Sequence, residues 1–233
     1  MEILRLEKVI KYFTSNNKKK YVLNNVSYSF QNKGLYVIKG ESGSGKTTLL
    51  NLLIGFEKVN EGKIYINSKD ITKYRFKDFN YLRRDYVSMI YQNYILLSSL
   101  SALDNVCLPM YIKYENKSKE QIDKIGLELS KRYIPEIDAQ VLCRYLSGGQ
   151  KQRICILRAI MSGSKIILAD EPTGSLDKEN GELIFKTLKD ISKNKLVIVV
   201  THDDELADKY ETNVKKEEVF SLYFLTISLW ILI

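Results

Sequence analysis

A glycine-rich stretch, GESGSGKTT, occupies residues 40–48. It fits the pattern G-x-x-x-x-G-K-[ST], in which glycines let backbone N–H groups surround a phosphate and the next helix directs its positive end at the same group. We expect Lys46 to reach the β- and γ-phosphates of a nucleotide and the hydroxyl of Thr47 to ligate Mg²⁺. The apolar runs 35–38 and 48–54 flank the stretch, which favours a phosphate loop between a strand and a helix over a simple glycine turn. The candidate nucleotide-binding residues are Gly40, Glu41, Ser42, Gly43, Ser44, Gly45, Lys46, Thr47 and Thr48.

Two neighbouring carboxylates, Asp170 and Glu171, follow the apolar run 166–169. We expect Asp170 to hold Mg²⁺ through water. Glu171 is expected to point elsewhere, because successive residues leaving a strand face opposite ways. A carboxylate beside a magnesium site but not committed to the metal suits a base that orients or deprotonates the attacking water. A DE pair on a protein surface would mean little, whereas one at the end of a buried strand indicates catalysis.

The only histidine of the chain, His202, comes just after the apolar run 195–200. A lone histidine is more often structural than catalytic. The carboxyl ends of parallel strands meet at one edge of a sheet, where open α/β sheets bind ligands. We therefore expect His202 to lie at the same edge as Lys46 and Asp170 and to contact the γ-phosphate.

A second glycine-rich stretch, LSGGQ, lies at residues 146–150. Ser147 and Gln150 have capping-box spacing, which predicts a helix that begins at Gly148 and ends near Gly163. The unpaired backbone N–H groups at the amino end of this helix, together with the Ser147 hydroxyl, are expected to bind an anion. Since residues 40–48 already surround one side of the phosphates, the second stretch is expected to bind the nucleotide of a second copy related by a twofold axis. The candidate partner-nucleotide contacts are Ser147, Gly148, Gly149 and Gln150.

The elements that must position these residues follow from apolar patterning. The runs 35–38, 166–169 and 195–200 are typical of buried parallel strands. Residues 3–30 and 63–67 alternate as an antiparallel edge sheet does, and residues 93–162 are predicted to be helical. Within that lobe Ser118 and Gln121 form a second capping box, followed by three residues expected on one buried helical face, Ile122, Ile125 and Leu129. The predicted fold class is α/β, with a mainly parallel sheet, an antiparallel β edge subdomain and an inserted α-helical lobe.

Composition limits the class of protein. The 233 residues carry a net charge of +8 and 45% apolar residues, which suits a globular domain with an anionic partner such as a nucleotide or a membrane surface, although surface lysines also serve solubility alone. The three cysteines, Cys107, Cys143 and Cys155, lack disulfide or zinc spacing and are expected to be small buried residues in a reducing compartment. The amino terminus does not resemble a signal peptide, so a cytosolic start is expected.

The motifs GESGSGKTTLL, MIYQNYILL, LSGGQKQR, ILADEPTGSLD and VVTHDDELA occur in the order and spacing of one known family. Over residues 3–208 the chain resembles the ATP-binding subunit of ABC transporters, which has a P-loop NTPase core. The resemblance implies an ATP hydrolase that uses ATP and Mg²⁺, forms a homodimer and associates with an integral-membrane permease subunit at the cytoplasmic face of the cell membrane. The segments 92–110 and 169–177 resemble the branch that serves macrolide efflux, lipoprotein release, antimicrobial-peptide resistance and bacteriocin export, so export of a peptide, lipoprotein or drug from a bacterial cell is expected.

The same resemblance implies roles for individual residues. Tyr12 would stack on adenine, and Gln92 would bridge Mg²⁺ and the membrane partner. Segment 93–108 would receive the coupling helix of the permease. Ser147 and Gly149 would contact the γ-phosphate across the dimer. The implied catalytic residues are Lys46, Gln92, Glu171 and His202, and the implied D-loop consists of Ser175, Leu176 and Asp177.

The carboxyl-terminal part departs from the family pattern, because no glycine follows Gly181 and the last fifteen residues are apolar and uncharged. We divide the chain into an ATP-binding domain, 1–214, and an atypical tail, 215–233. As a helix, fifteen residues reach roughly 22 Å, short of the ~30 Å hydrocarbon core. Three interpretations stay open: a membrane-surface or docking anchor, the start of a truncated fused membrane domain, or the out-of-frame end of a damaged gene.

Two other classes of protein share parts of the pattern. DNA-maintenance ATPases contain the LSGGQ motif, and positive charge would suit DNA. They separate their halves with long coiled coils or zinc-bearing insertions, and residues 47–146 show neither sustained heptads nor metal-ligand cysteines. A nucleic-acid partner is therefore not expected. A nucleotide-sensing module without activity is disfavoured because every catalytic position is filled.

Overall fold

The computed structural model describes residues 2–114 and 116–210. Along the chain the elements are β1 (Glu2–Ser15), β2 (Lys18–Gln31), β3 (Gly34–Lys39), α1 (Lys46–Ile54), β4 (Glu61–Ile66), β5 (Lys69–Asp70), α2 (Phe76–Asp85), β6 (Val87–Ile90), α3 (Ala102–Lys113), α4 (Lys119–Tyr133), α5 (Gly148–Met161), β7 (Ile166–Asp170), α6 (Lys178–Ser192), β8 (Leu196–Thr201) and α7 (Asp204–Tyr210). The tail 215–233 lies outside the described residues.

The antiparallel sheet has the strand order β2-β1-β4-β5. Leu4, Leu6 and Val9 of β1 face the core and are at most 1% exposed. Asn16 and Asn17 connect β1 to β2 with φ of 49° and 57°, a left-handed pair that suits a two-residue hairpin. The expected antiparallel edge sheet is confirmed.

The second sheet is parallel throughout, with the order β3-β8-β7-β6. Every residue of β8 is buried, because apolar clusters cover both faces of the sheet. Lys39 pairs with Thr201, and Asp170 pairs with Val200, so β3, β7 and β8 end at the same edge. The three predicted strands are confirmed, and their shared edge brings the motifs that follow them together.

The helical lobe consists of α3, α4 and α5 around a third apolar cluster. Both predicted capping boxes are present: the amides of Gln121 and Gln150 donate to the hydroxyls of Ser118 and Ser147, each over 3.3 Å. The predicted buried face of α4 is wrong at Ile125, which is 40% exposed.

The buried positions of α4 are Ile122, Gly126 and Ser130. A Cβ atom at Gly126 would lie 2.3 Å from Sγ of Cys107. The close approach of α4 to α3 therefore centres on a glycine, which an apolar pattern cannot show.

Two further expectations concern the start of α1 and the cysteines. Helix α1 begins at Lys46, two residues before the predicted start at Thr48. All three cysteines are free and buried as expected, and burial raises the pKa of Cys155 to about 12. Within residues 2–114 and 116–210 none of the helices has both the length and the apolar character needed to cross a bilayer.

Candidate nucleotide-binding site

The loop between β3 and α1 has the shape of an anion cradle. Gly43 and Gly45 adopt φ of 80° and 94°, a left-handed region in which a side chain would be strained. Nζ of Lys46 donates to the carbonyls of Gly40, over 2.6 Å, and Glu41, over 3.0 Å. The loop thus wraps around the lysine just before the amino end of α1.

A cavity of about 390 Å³ lies against this loop. Oγ of Ser44 is buried and has no hydrogen-bond partner among the described residues. Buried hydroxyls are normally paired, so this hydroxyl fits a loop that binds an anion able to accept a hydrogen bond. The walls come from the hairpin β1–β2, the loop, Gln92 and the end of β7. The lining residues are Phe13, Lys20, Val22, Ser42, Gly43, Gly45, Lys46, Thr47, Thr48, Gln92, Asp170 and Glu171.

Thr47 and Asp170 offer a pair of oxygen ligands in the lining of the cavity. Oγ1 of Thr47 donates to Oδ1 of Asp170 over 3.0 Å. Burial raises the pKa of Asp170, and the charge of Glu171 raises it further. A desolvated carboxylate beside a hydroxyl fits Mg²⁺, which takes one or two protein oxygens and completes its shell with phosphate and water. The described residues contain no group of three or more His, Cys, Asp or Glu side chains that could hold a metal by themselves.

Glu171 lies just beyond β7, in a left-handed conformation with φ of 46°. Oε1 lies 3.6 Å from Nζ of Lys46, and Oε2 lies 2.9 Å from Nδ1 of His202 and accepts the His202 amide over 3.1 Å. The expectation that Glu171 points away from the site of Asp170 is wrong, because Glu171 lies beyond the end of β7 and lines the same cavity as Asp170. The side chain of His202 is 60% exposed and reaches the site through Glu171.

The aromatic residue at the cavity is Phe13. Among the described residues the lining includes Phe13 but omits Tyr12, whose ring lies 5.4 Å from the Tyr21 ring and under Nζ of Lys19 at 4.3 Å. The structure thus places Phe13, and not Tyr12, against the cavity, and the stacking of Tyr12 on the base stays a prediction. The pairing of β1 with β2 shifts register between Lys11 and Tyr12, so the faces of β1 cannot be counted along the sequence.

Gln92 follows β6 and lines the cavity. Sequence analysis missed β6 itself, because its sequence VSMI is short and contains a serine.

The LSGGQ residues lie at the start of α5, in the helical lobe. Helix α5 begins at Gly148, as predicted. In the part of the chain that the structure describes, none of residues 147–150 lines the cavity. Asp177 caps α6 by accepting the amide of Asn180 over 2.9 Å. Leu176 packs against the apolar cluster that contains Ile184 and Phe185 of α6.

A phosphate loop after the first strand of a parallel sheet, with an acidic pair at the end of β7, separated from that strand by β8, defines the class of P-loop nucleotide hydrolases. Comparison with known proteins narrows the class. Residues 23–174 match the family model "ABC transporter". The chain is 35% identical over 223 residues to the lipoprotein-releasing system ATP-binding protein LolD of Wigglesworthia glossinidia brevipalpis, covering 92% of this chain and 94% of that protein.

It is also 35% identical over 214 residues to the macrolide export ATP-binding/permease protein MacB of Mannheimia succiniciproducens, covering 89% of this chain but only 32% of MacB. A solved structure of the cassette MJ0796, described as a dimeric post-hydrolysis state bound to ADP and Pi, superposes with a TM-score of 0.78 at 35% identity. That match covers 88% of this chain and 90% of the cassette. MJ0796 is an ABC transporter ATP-binding protein of Methanocaldococcus jannaschii. The chain belongs to the ATP-binding cassettes of ABC transporters, and it is an ATP hydrolase.

Proposed function

We propose that this chain powers a membrane transporter by closing, with a second copy of itself, around ATP and Mg²⁺. Each copy would hold the phosphates with its own loop at residues 40–48. It would complete the site of the other copy with Ser147, Gly148, Gly149 and Gln150. Binding ATP would draw the two copies together, and hydrolysis would release them.

The observation that carries this proposal is the separation of two anion-binding helix starts in one chain. The amino end of α1 faces the cavity beside Lys46, whereas the amino end of α5 contributes nothing to it. Two glycines and a serine hydroxyl at a helix start are the features of an anion site. A second copy related by a twofold axis supplies the anion that α5 lacks within its own chain.

The geometry supports a division of chemical work among the residues. Lys46 would neutralise charge on the β- and γ-phosphates. Mg²⁺, held by Thr47 and Asp170, would supply a Lewis acid for phosphate oxygens. Glu171 would accept a proton as water attacks the γ-phosphorus and the bond to ADP breaks. His202, 2.9 Å from Glu171, would orient that carboxylate and reach the γ-phosphate.

Two cavity residues extend this assignment. Phe13 lines the cavity, is 42% exposed and would stack on the adenine in place of Tyr12. Gln92 would report the state of the nucleotide to the lobe, because it lies between the cavity and the segment 93–108.

The relatives support a membrane partner and a direction of transport. LolD and MacB are named for lipoprotein release and macrolide export. We infer an integral-membrane permease as partner, a location at the cytoplasmic face of the membrane, and export of a peptide, lipoprotein or drug from a bacterial cell. A groove of about 230 Å³ between β6, α3 and α5, next to segment 93–108, offers a surface for the permease. Residues 1–214 would form the ATP-binding domain.

Ultracentrifugation tests the dimer directly. The Glu171→Gln variant keeps the shape of the side chain but loses the base, so with saturating ATP and Mg²⁺ it should sediment at twice the monomer mass without turning over. The same variant with Ser147→Ala should bind ATP as a monomer and fail to dimerise. A Glu171→Gln protein that stays monomeric under these conditions, with its permease also present, would overturn the proposal.

A further inference from the structure

Tyr94 lies where three functional segments of one chain meet. Its Oη lies 3.0 Å from Oγ of Ser175 in the D-loop, either hydroxyl donating. A Cβ atom at Gly148 would lie 2.8 Å from the same Oη, so the hydroxyl packs against the start of α5. Tyr94 itself is two residues beyond Gln92. One side chain therefore joins the segment after Gln92 to both the D-loop and the LSGGQ motif.

The backbone of Tyr94 is held in an uncommon conformation. Tyr94 and Ile95 have φ of 58° and 49°, a left-handed region that side chains disfavour. The carbonyl of Tyr94 accepts from Sγ of Cys155 over 2.9 Å and from Nη2 of Arg158 over 3.1 Å. Nη1 of Arg158 donates to the carbonyl of Ile95 over 2.7 Å. Hydrogen bonds from α5 thus hold this strained turn in place, and the turn fixes the position of the Tyr94 ring.

The partner of Tyr94 is equally well placed. Ser175 directly precedes Leu176, whose side chain would lie 3.5 Å from a Cβ atom at Gly148. Asn180, in the first turn of α6, approaches the next glycine, since its Oδ1 would lie 2.7 Å from a Cβ atom at Gly149. The D-loop and the start of α5 therefore form one contiguous surface. The Tyr94–Ser175 contact is the hydroxyl pair that links this surface to the segment after Gln92.

We propose that Tyr94 is a positioning residue for hydrolysis: its hydroxyl fixes the D-loop against the LSGGQ helix, so that both meet the second subunit in one arrangement. The proposal rests on the two-subunit site proposed above. A phenylalanine would fill the same space and keep the ring packing. The hydroxyl is therefore the part of the side chain that carries the effect.

A double-mutant cycle with Tyr94→Phe and Ser175→Ala tests this role through steady-state hydrolysis. Each single variant should lower kcat by roughly three- to tenfold, the effect of one hydrogen bond. The double variant should fall no further than either single one, because both remove the same contact. KM and ATP binding by the monomer should stay as in the wild type, since neither Tyr94 nor Ser175 lines the cavity. The hydroxyl pair is exposed, so its loss should lower the unfolding midpoint by at most about 2 °C. Tyr81→Phe, a half-exposed tyrosine on α2, serves as the control and should change none of these values.

Three outcomes of the hydrolysis assay would overturn the proposal: an unchanged kcat in Tyr94→Phe, multiplicative losses in the double variant, or a rise in kcat, which would show that the contact restrains hydrolysis. A loss of monomer ATP binding or of stability equal to the loss of rate would also overturn it, by showing a merely structural contact. The two-subunit site is tested separately, by ultracentrifugation of Glu171→Gln with ATP and Mg²⁺. If Glu171→Gln forms the ATP-bound dimer but the losses in Tyr94→Phe and Ser175→Ala multiply, the role of Tyr94 is refuted and the two-subunit site is not.

Discussion

Replacing Ser147 with alanine separates the two roles that one hydroxyl can have at the start of α5. In the structure this hydroxyl caps the helix, since it accepts the Gln150 amide over 3.3 Å while Oε1 of Gln150 accepts the Ser147 amide over 2.9 Å. In the proposed dimer it also contacts the γ-phosphate of the other subunit. The first role concerns the stability of the monomer, and the second concerns hydrolysis.

Ser118 provides a matched control. It caps α4 in the same lobe with the same 3.3 Å bond from Gln121, and Oε1 of Gln121 accepts its amide over 3.1 Å. Loss of an N-cap hydroxyl costs about 1 kcal/mol of unfolding free energy. For a domain of this size that lowers the unfolding midpoint by roughly 2–4 °C. Ser147→Ala and Ser118→Ala should therefore be destabilised to a similar extent in thermal unfolding followed by circular dichroism.

Hydrolysis should distinguish the two variants. A hydrogen bond to a charged group contributes about 1.5–3 kcal/mol. Its loss from Ser147 corresponds to roughly 10- to 150-fold in kcat. Ser118→Ala should keep wild-type kcat, and both variants should bind ATP as monomers with wild-type affinity. Equal hydrolysis by the two variants, or loss of monomer ATP binding in Ser147→Ala alone, would refute the assignment of α5 to the other subunit's nucleotide.

Two further predictions concern side chains of β1. Phe13→Ala should weaken binding of a fluorescent ATP analogue roughly 5- to 150-fold, because stacking of a base on an aromatic ring contributes about 1–3 kcal/mol. The adjacent Tyr12→Ala should leave that binding nearly unchanged. A large loss in Tyr12→Ala with little loss in Phe13→Ala would instead assign the base contact to Tyr12. Nζ of Lys11, whose side chain is 9% exposed, pairs with Oε2 of Glu57 over 2.7 Å. Glu57→Gln should cost about 1–3 kcal/mol of unfolding free energy in urea titrations, since it leaves a buried ammonium group without its counter-charge, while Lys11→Met should stay within about 1 kcal/mol of the wild type. Similar losses in both variants would contradict this account.

Much of the site could be predicted from the sequence because its chemistry is encoded over short distances. The spacing of Gly40, Lys46 and Thr47 predicts a loop between a strand and a helix, and that loop lies between β3 and α1. The capping boxes at Ser118 and Ser147 depend only on residues three apart. The parallel strands at 166–169 and 195–200 are apolar runs whose carboxyl ends must share an edge. These features depend on local geometry, and the structure agrees with each of them.

Other features depend on contacts between distant segments, and only the tertiary structure decided them. The β-bulges of β1 shift its register, so they place Phe13 rather than Tyr12 at the cavity. Glu171 turns towards Lys46 and His202 because its left-handed backbone is set beyond the strand end. The contact between Tyr94 and Ser175 spans 81 residues of sequence. Pairing register, backbone strain and long-range packing are set by the whole folded chain, because each depends on neighbours that the local sequence does not specify.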